Sequence, residues 1–106
     1  MTCPAPVKVT ACALANATKA LHLSVEDVHR KAPLRWAKGR GLAEYTGCLG
    51  EYLHAEAAAH GSIPRVHRRQ VWWFSARDGE VVCITVELLL KPLWQRHLAE
   101  LAAAQS

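Results

Sequence analysis

The feature that most constrains this chain is a pair of runs rich in β-branched and aromatic residues, separated by a single Asp-Gly pair. The runs span residues 70 to 87, and Asp78 and Gly79 lie between them. Asp-Gly accepts the two positive φ angles of a type I′ turn, so this segment predicts a β-hairpin. Folding about that turn produces three cross-strand pairs, Arg77 with Glu80, Phe74 with Cys83 and Trp73 with Ile84.

Both faces of the predicted hairpin are apolar. Because side chains alternate along a strand, one face receives Trp72, Phe74, Ala76, Val81 and Cys83, and the other receives Val71, Trp73, Val82, Ile84 and Val86. A small domain has little material with which to cover both faces. We therefore expect one face to meet a second copy of the chain, a protein partner or a helix.

The composition is that of one folded domain, 1–106. Of the 106 residues, 51% are hydrophobic and 21% are charged, which is typical of globular chains and not of disordered ones. The longest apolar stretches fall far short of the roughly 18 to 20 residues that span a bilayer. The first residues also lack the layout of a secretory signal. We therefore expect a cytoplasmic protein without membrane association.

The cysteines do not form a metal-binding pattern. Cys3, Cys12, Cys48 and Cys83 are scattered, without a C-x-x-C pair or a regular spacing, so a zinc site is not expected. Buried, reduced thiols are the main expectation for a reducing compartment. A disulfide between two of them stays open.

Motifs of known catalytic sites occur only as fragments. His54-Ala55-Glu56 is similar to the H-x-E of zinc nucleobase deaminases, but the P-C-x-x-C that completes such a site is missing. Glu51 and His54 match one Glu-x-x-His of the carboxylate-bridged iron bundles, which need two. The chain has no glycine-rich phosphate loop and no Gly-x-Ser-x-Gly elbow. We therefore predict that the protein is not an enzyme and has no cofactor and no metal.

Helical spacing and capping residues predict the other elements. The first predicted helix runs from Thr10 to Leu21, and the second is capped by Ser24 and ends before Pro33. A long helix follows from Leu42 to His60, with Gly61 as its C-terminal cap. The last predicted helix has Pro92 in its first turn. Gly47 and Gly50 either permit the close approach of another element or mark a break. Residues 1–9 are expected to form an irregular arm or a short edge strand, and residues 102–106 a frayed tail.

Two basic clusters predict a surface that binds phosphates. The net charge is only +4, but the chain carries five cationic residues and no acid between Val28 and Ala43, and a second cluster precedes the hairpin. The residues that we expect to bind DNA are Arg30, Lys31, Arg35, Lys38, Arg40, Arg65, Arg68, Arg69 and Arg77. A solvated basic surface that binds nothing is the alternative.

Several stretches resemble the C-terminal DNA-binding domain of bacterial replication initiators of the DnaA type. Residues 13 to 28 resemble that family's first helix and the start of its second, and residues 40 to 52 resemble its long helix. Residues 62 to 66, Ser-Ile-Pro-Arg-Val, are similar to the opening of its helix-turn-helix, and Arg77-Asp78 is similar to the Arg-Asp of its signature. The resemblance implies an almost wholly helical fold that binds double-stranded DNA in a bacterium or phage.

The hairpin and the resemblance together favour an α+β fold of the winged-helix kind. We expect N-terminal helices arranged as a helix-turn-helix, one long central helix, the hairpin about Asp78-Gly79 as a wing, and a C-terminal helix. An all-α fold is the alternative, and it depends on whether residues 81–90 form a strand or a helix.

These patterns predict a small DNA-binding protein that acts as a regulator of transcription or as an accessory factor, either alone or as a dimer. Contacts to phosphates give affinity but little sequence specificity, so the target sequence is not predicted. The alternative is a small inhibitor or adaptor that binds a protein partner through the apolar face of the 70–87 hairpin. The partner-binding residues would then be Trp72, Trp73 and Phe74.

Overall fold

A computed structural model describes residues 6–105 of the chain. In chain order the elements are β1 (Val7–Val9), α1 (Ala11–Leu21), α2 (Val25–Lys38), a 3₁₀ turn (Leu42–Glu44), α3 (Gly47–His60), β2 (Ile63–His67), β3 (Gln70–Arg77), β4 (Glu80–Leu88) and α4 (Lys91–Gln105). The fold is therefore α+β, and the all-α alternative is wrong because the segment from residue 63 to residue 88 forms strands. Within the described chain, no helix combines the length and the apolar character that crossing a bilayer requires.

The strands form one mixed sheet in the order β1-β4-β3-β2. β3 pairs antiparallel with both β2 and β4, and β1 pairs parallel to β4 at the edge. Residues 7–9 of the expected N-terminal arm thus form an edge strand, whereas residues 1–5, including Cys3, lie outside the described residues. β2 was not predicted as a strand, and it contains most of the segment that is similar to a helix-turn-helix opening.

The predicted hairpin is present, but its register changes once. Asp78 and Gly79 have φ angles of 52° and 77°, as a type I′ turn requires. The pairs Arg77 with Glu80 and Phe74 with Cys83 are confirmed, but Trp73 pairs with Thr85 and not with Ile84. A β-bulge beside Trp73 inserts one extra residue in β4, and an extra residue exchanges the faces of all residues beyond it.

This exchange moves Val86 to the face opposite the predicted one. Val86 packs in the same core as Trp72 and Phe74, whereas Ile84 packs against the core that contains Trp73. The faces predicted by alternating side chains outward from the turn are therefore correct only up to the bulge.

Helices cover both faces of the sheet. α1 and α2 pack on the face with Trp72, Phe74 and Cys83, and α3 and α4 pack on the face with Val71 and Trp73. Of the three coverings expected for an apolar face, a helix is the one found, because the chain supplies a helix pair for each face. Trp72 and Phe74 are 0% exposed and Trp73 is 3% exposed, so none of these three rings is available to a partner in the folded chain.

α2 begins as predicted but does not stop at Pro33. Ser24 Oγ accepts a hydrogen bond from the Asp27 amide at 3.1 Å, and the helix continues through Pro33 to Lys38. Proline removes one helical hydrogen bond, but Ala32 on one side of it and Trp36 on the other both pack in the core beneath α2. Tertiary packing therefore maintains the helix where its local sequence would end it.

α3 begins at Gly47, five residues later than predicted. Residues 42–44 form a separate 3₁₀ turn, and Gly47 has a φ of +68°, so this glycine marks the break. Gly50 permits a close approach, because a Cβ at this residue would lie 2.6 Å from the carbonyl oxygen of Tyr45. Gly61, with a φ of 60°, caps the helix as predicted.

α4 supplies the side chain that caps α3. Thr46 precedes α3 but its side chain makes no capping hydrogen bond. Instead, Glu100 Oε2 accepts a hydrogen bond from the Cys48 amide at 3.2 Å, and this bond is the main reason that the pKa of Glu100 is lowered. α4 is helical up to Gln105, so the expected tail of residues 102–106 continues this helix as far as residue 105, and residue 106 lies outside the described residues.

Candidate nucleic-acid interface

Three of the nine predicted DNA-binding residues make contacts with other residues of the chain. Arg30 forms an ion pair with Asp27 at 2.8 Å. Arg65 stacks over the ring of Trp36, with its guanidinium carbon 4.5 Å from the ring centroid, and donates to the Trp36 carbonyl at 3.2 Å. Arg69 donates a hydrogen bond of 2.6 Å to the Leu89 carbonyl. These arginines are already used, so a ligand would compete with internal contacts.

Arg77 lies apart from the other predicted residues. It ends β3 beside the Asp78-Gly79 turn, whereas the turn that contains Arg68 joins the opposite end of β3. Seven residues of strand separate Arg77 from Gln70, which corresponds to about 23 Å at roughly 3.3 Å per residue. The tip of the predicted wing is thus remote from the main basic surface.

The other five predicted residues come together at one end of the sheet. Lys31, Arg35 and Lys38 are spaced by four and three residues and so share one face of α2. Arg40 is placed by two backbone hydrogen bonds of 2.9 Å with Val66, and Arg68 lies in the turn between β2 and β3. We call Lys31, Arg35, Lys38, Arg40 and Arg68 the basic patch.

His67 lies close to the cations of the patch that come from α2 and to those that come from Arg40 and the β2–β3 turn. Burial lowers the pKa of His67, and the charges of Arg35, Arg68 and Lys31 lower it further. His67 also lines a pocket together with Lys38, Arg40 and Arg68. Each member of the basic patch therefore either influences the pKa of this imidazole or lines the same pocket, and the lowered pKa favours the neutral form of His67.

Among residues 6–105, no member of the basic patch forms an ion pair, although Asp27 is close enough for the charge of Lys31 to contribute to the lowered pKa of its carboxyl. The ion pairs found among residues 6–105 involve Lys8, Arg30, His60 and Arg96, and none of these belongs to the patch. Burial lowers the pKa of Arg35, with a smaller contribution from Arg68. The Arg35 Nε is buried without a hydrogen-bond partner, although the guanidinium carbon lies 5.8 Å from the centroid of the Trp72 ring. The patch therefore holds unbalanced positive charge that an anion would stabilise.

A pocket of about 360 Å³ opens beside the patch. Its lining consists of Lys38, Arg40, Tyr45, Val66, His67, Arg68, Trp94, His97 and Leu101. His97 stands between two aromatic rings, with its centroid 5.5 Å from that of Tyr45 and 5.3 Å from that of Trp94. Sequence reasoning missed Tyr45, Trp94 and His97 as site residues. No local pattern connects residues of the last helix with the basic segment, so only the fold reveals this pocket.

Burial disfavours the thiolate form of two of the described cysteines, Cys48 and Cys83. Cys12, Cys48 and Cys83 are free, and burial raises the pKa of Cys83 to about 12 and also raises that of Cys48. Cys83 is buried as expected, but Cys12 is exposed. Residues 6–105 contain no group of three or more metal-ligating side chains close enough to share an ion.

Comparison of the chain with protein-family models, with curated proteins and with solved structures found no match. The resemblance to the DnaA-type domain therefore stays a prediction.

Proposed function

We propose that this protein binds double-stranded DNA and that the basic patch contacts the phosphate backbone. The observation that carries this proposal is the gathering of five cations from α2, from the segment after it and from the β2–β3 turn, none of which forms an ion pair with another described residue. Phosphates are spaced densely along a duplex, and their neutralisation by Lys and Arg releases counterions. In this proposal α1 and α2 act as a helix-turn-helix-like pair, and the protein serves as a regulator or accessory factor.

The spacing of the cations on α2 supports contact with several phosphates along a DNA backbone. Lys31, Arg35 and Lys38 extend over seven residues, or about 10 Å of helix, and Arg68 and Arg40 continue the charge beyond its C-terminal end. The β2–β3 turn, rather than the Asp78-Gly79 turn, would touch the DNA beside α2. The alternative function, an adaptor that binds through the hairpin, lacks comparable support because its three aromatic rings lie in the core.

The test is a titration of a fluorescently labelled duplex, followed by anisotropy at several salt concentrations. The variant pair is Lys38→Glu with Arg40→Glu, two exposed residues of the patch. The matched control is Lys19→Glu with Arg77→Glu, also exposed and outside the patch. Each substitution replaces a positive with a negative charge and so lowers the net charge by two, which brings both double variants from +4 to 0.

For the unaltered protein, we expect log K to fall linearly with log salt, with a slope of about −0.9 for each phosphate contact. The Lys38→Glu, Arg40→Glu variant should lose most of its affinity, and the control should retain nearly all of it. Affinity that does not depend on salt, or an equal loss in both double variants, would contradict binding by the patch.

A further inference from the structure

The structure points to a second contact beside the patch: we infer that the pocket under Lys38, Arg40 and Arg68 accepts one unpaired nucleotide of a DNA strand. This inference rests on the proposed DNA binding and adds a preference for ends or gaps where a base is free. The shared chemistry is that of a nucleoside monophosphate, which is an aromatic base joined to an anionic group.

The pocket is lined both by cations that can bind a phosphate and by an aromatic ring that can stack on a base. Lys38, Arg40 and Arg68 are exposed, so their charges can meet a phosphate without breaking an internal contact. Trp94 is half-buried and offers an aromatic face, on which any base can stack. The volume of about 360 Å³ lies within the range of roughly 300 to 1,000 Å³ that small-molecule sites occupy.

The aromatic residues are held in place before a ligand arrives. Tyr45 is 8% exposed and His97 is 5% exposed, and His97 separates the Tyr45 ring from that of Trp94. Leu93 and Trp94 also pack against the core formed by Leu49 and Leu53. A base entering the pocket would therefore meet rigid rings, which keeps the entropic cost of binding low.

The nearest carboxylates are occupied elsewhere. Glu44 and Glu100 line a neighbouring pocket that shares His97 and Leu101 with this one. Glu44 accepts a hydrogen bond of 3.0 Å from the Gly41 amide, and Glu100 caps α3 through the Cys48 amide. The pocket lining itself contains no Asp or Glu, so the phosphate would not be repelled there by a second negative charge.

Only an unpaired base can enter this pocket without the cost of breaking a base pair. In an intact duplex the bases are stacked inside the helix, and removing one requires unstacking and unpairing. A single-stranded overhang has free bases, so it can place phosphates on the patch and one base against Trp94 at the same time. We therefore expect tighter binding to a duplex with an overhang than to a blunt duplex of the same paired sequence.

The experiment compares a blunt labelled duplex with the same duplex carrying a short unpaired extension, at one salt concentration. The overhang should bind about tenfold more tightly, as expected for one base stacked on an aromatic ring. Trp94→Leu should abolish this preference and leave the affinity for the blunt duplex unchanged, whereas Trp94→Phe should retain most of it. Thermal melting by circular dichroism checks that both variants fold.

The wild-type comparison is decisive even if a Trp94 variant does not fold. Equal affinity for the blunt duplex and the overhang would overturn the inference, and salt-dependent binding of both would leave the proposed function standing. A preference that survives Trp94→Leu in a folded variant would also overturn it. If neither DNA binds but free dAMP does, the proposed function fails and the pocket is a mononucleotide site unrelated to DNA strands.

Discussion

At the scale of single residues, Gly50 is the clearest case of a side chain that must be absent. The carbonyl oxygen of Tyr45 lies 2.6 Å and the carbonyl carbon 2.9 Å from where a Cβ would stand. Both are backbone atoms, so no flexible side chain can move to relieve the contact. Gly50 thereby lets the start of α3 fold back against the segment before it, and this segment places Tyr45 in the candidate nucleotide pocket.

We predict that Gly50→Ala destabilises the protein by about 1 to 3 kcal/mol, although alanine is about 1 kcal/mol better than glycine inside a helix. Urea unfolding measures this change in the free energy of unfolding. Gly61→Ala is the control, because Gly61 has a positive φ but no atom within 4 Å of an added Cβ; it should show only the backbone strain of about 1 kcal/mol. An increase in stability for Gly50→Ala would disprove the close approach.

At the scale of elements, α3 depends on a cap from a different helix. Its own N-terminal residue Thr46 makes no side-chain capping bond, and Glu100 of α4 provides the acceptor instead. A carboxylate at a helix N-terminus also interacts favourably with the partial positive charge there. This hydrogen bond links α3 and α4, the two helices that cover one face of the sheet.

The Glu100 cap predicts a stability that depends on pH. The Cys48 amide is the largest cause of the lowered pKa of Glu100, so the folded state favours the ionised carboxylate. The stabilisation is complete above the ordinary pKa of 4.5 and is lost as the pH falls through the lowered value. We expect Glu100→Gln to lower the melting temperature at neutral pH by a few degrees, and this difference to shrink in acid.

Glu51→Gln provides the control for Glu100→Gln. Glu51 is an exposed residue of α3, and its substitution makes the same change in charge without removing a cap. Melting followed by circular dichroism between neutral and acidic pH compares the three proteins. A gap between wild type and Glu100→Gln that stays constant across this range would show that the carboxylate charge does not act at the α3 terminus.

At the scale of the whole molecule, the sheet is covered on both faces by the chain's own helices. Trp72 packs with residues of α1 and α2, and Trp73 packs with residues of α3 and α4. Each indole N–H also has an acceptor, Gln70 Oε1 at 3.1 Å for Trp72 and Glu87 Oε2 at 3.1 Å for Trp73. These rings therefore stabilise the fold, and the candidate site lies at the end of the sheet, where the basic patch and its pocket are.

We predict that Trp72→Ala destabilises the protein by about 3 to 5 kcal/mol, as expected for a large aromatic residue removed from a packed core. Trp72→Phe, the conservative control, should cost less. Urea unfolding measures the loss, and size-exclusion chromatography should show no change in oligomeric state for either variant that folds. A stable Trp72→Ala protein with an altered oligomeric state would instead place Trp72 at an interface between chains.

Local signals in the sequence predicted local geometry well. The Asp78-Gly79 turn, the Ser24 cap and the Gly61 cap are all present, because each depends on the backbone preferences and hydrogen bonds of residues within one turn of each other. The first pairs of the hairpin follow from the same turn. The basic residues of α2 were also identified, since their charges and helical spacing are visible in the chain itself.

Contacts between distant segments determined everything else. The bulge beside Trp73, the continuation of α2 through Pro33 and the coverage of both sheet faces depend on packing between elements, which outweighs local preference. The same holds for the site: Arg68 and Lys38 meet because β2 packs beside α2, and Trp94 joins them because α4 crosses the other face. The residue types of the basic patch can be identified in the sequence, but their assembly into one surface follows from the free energy of burying two cores.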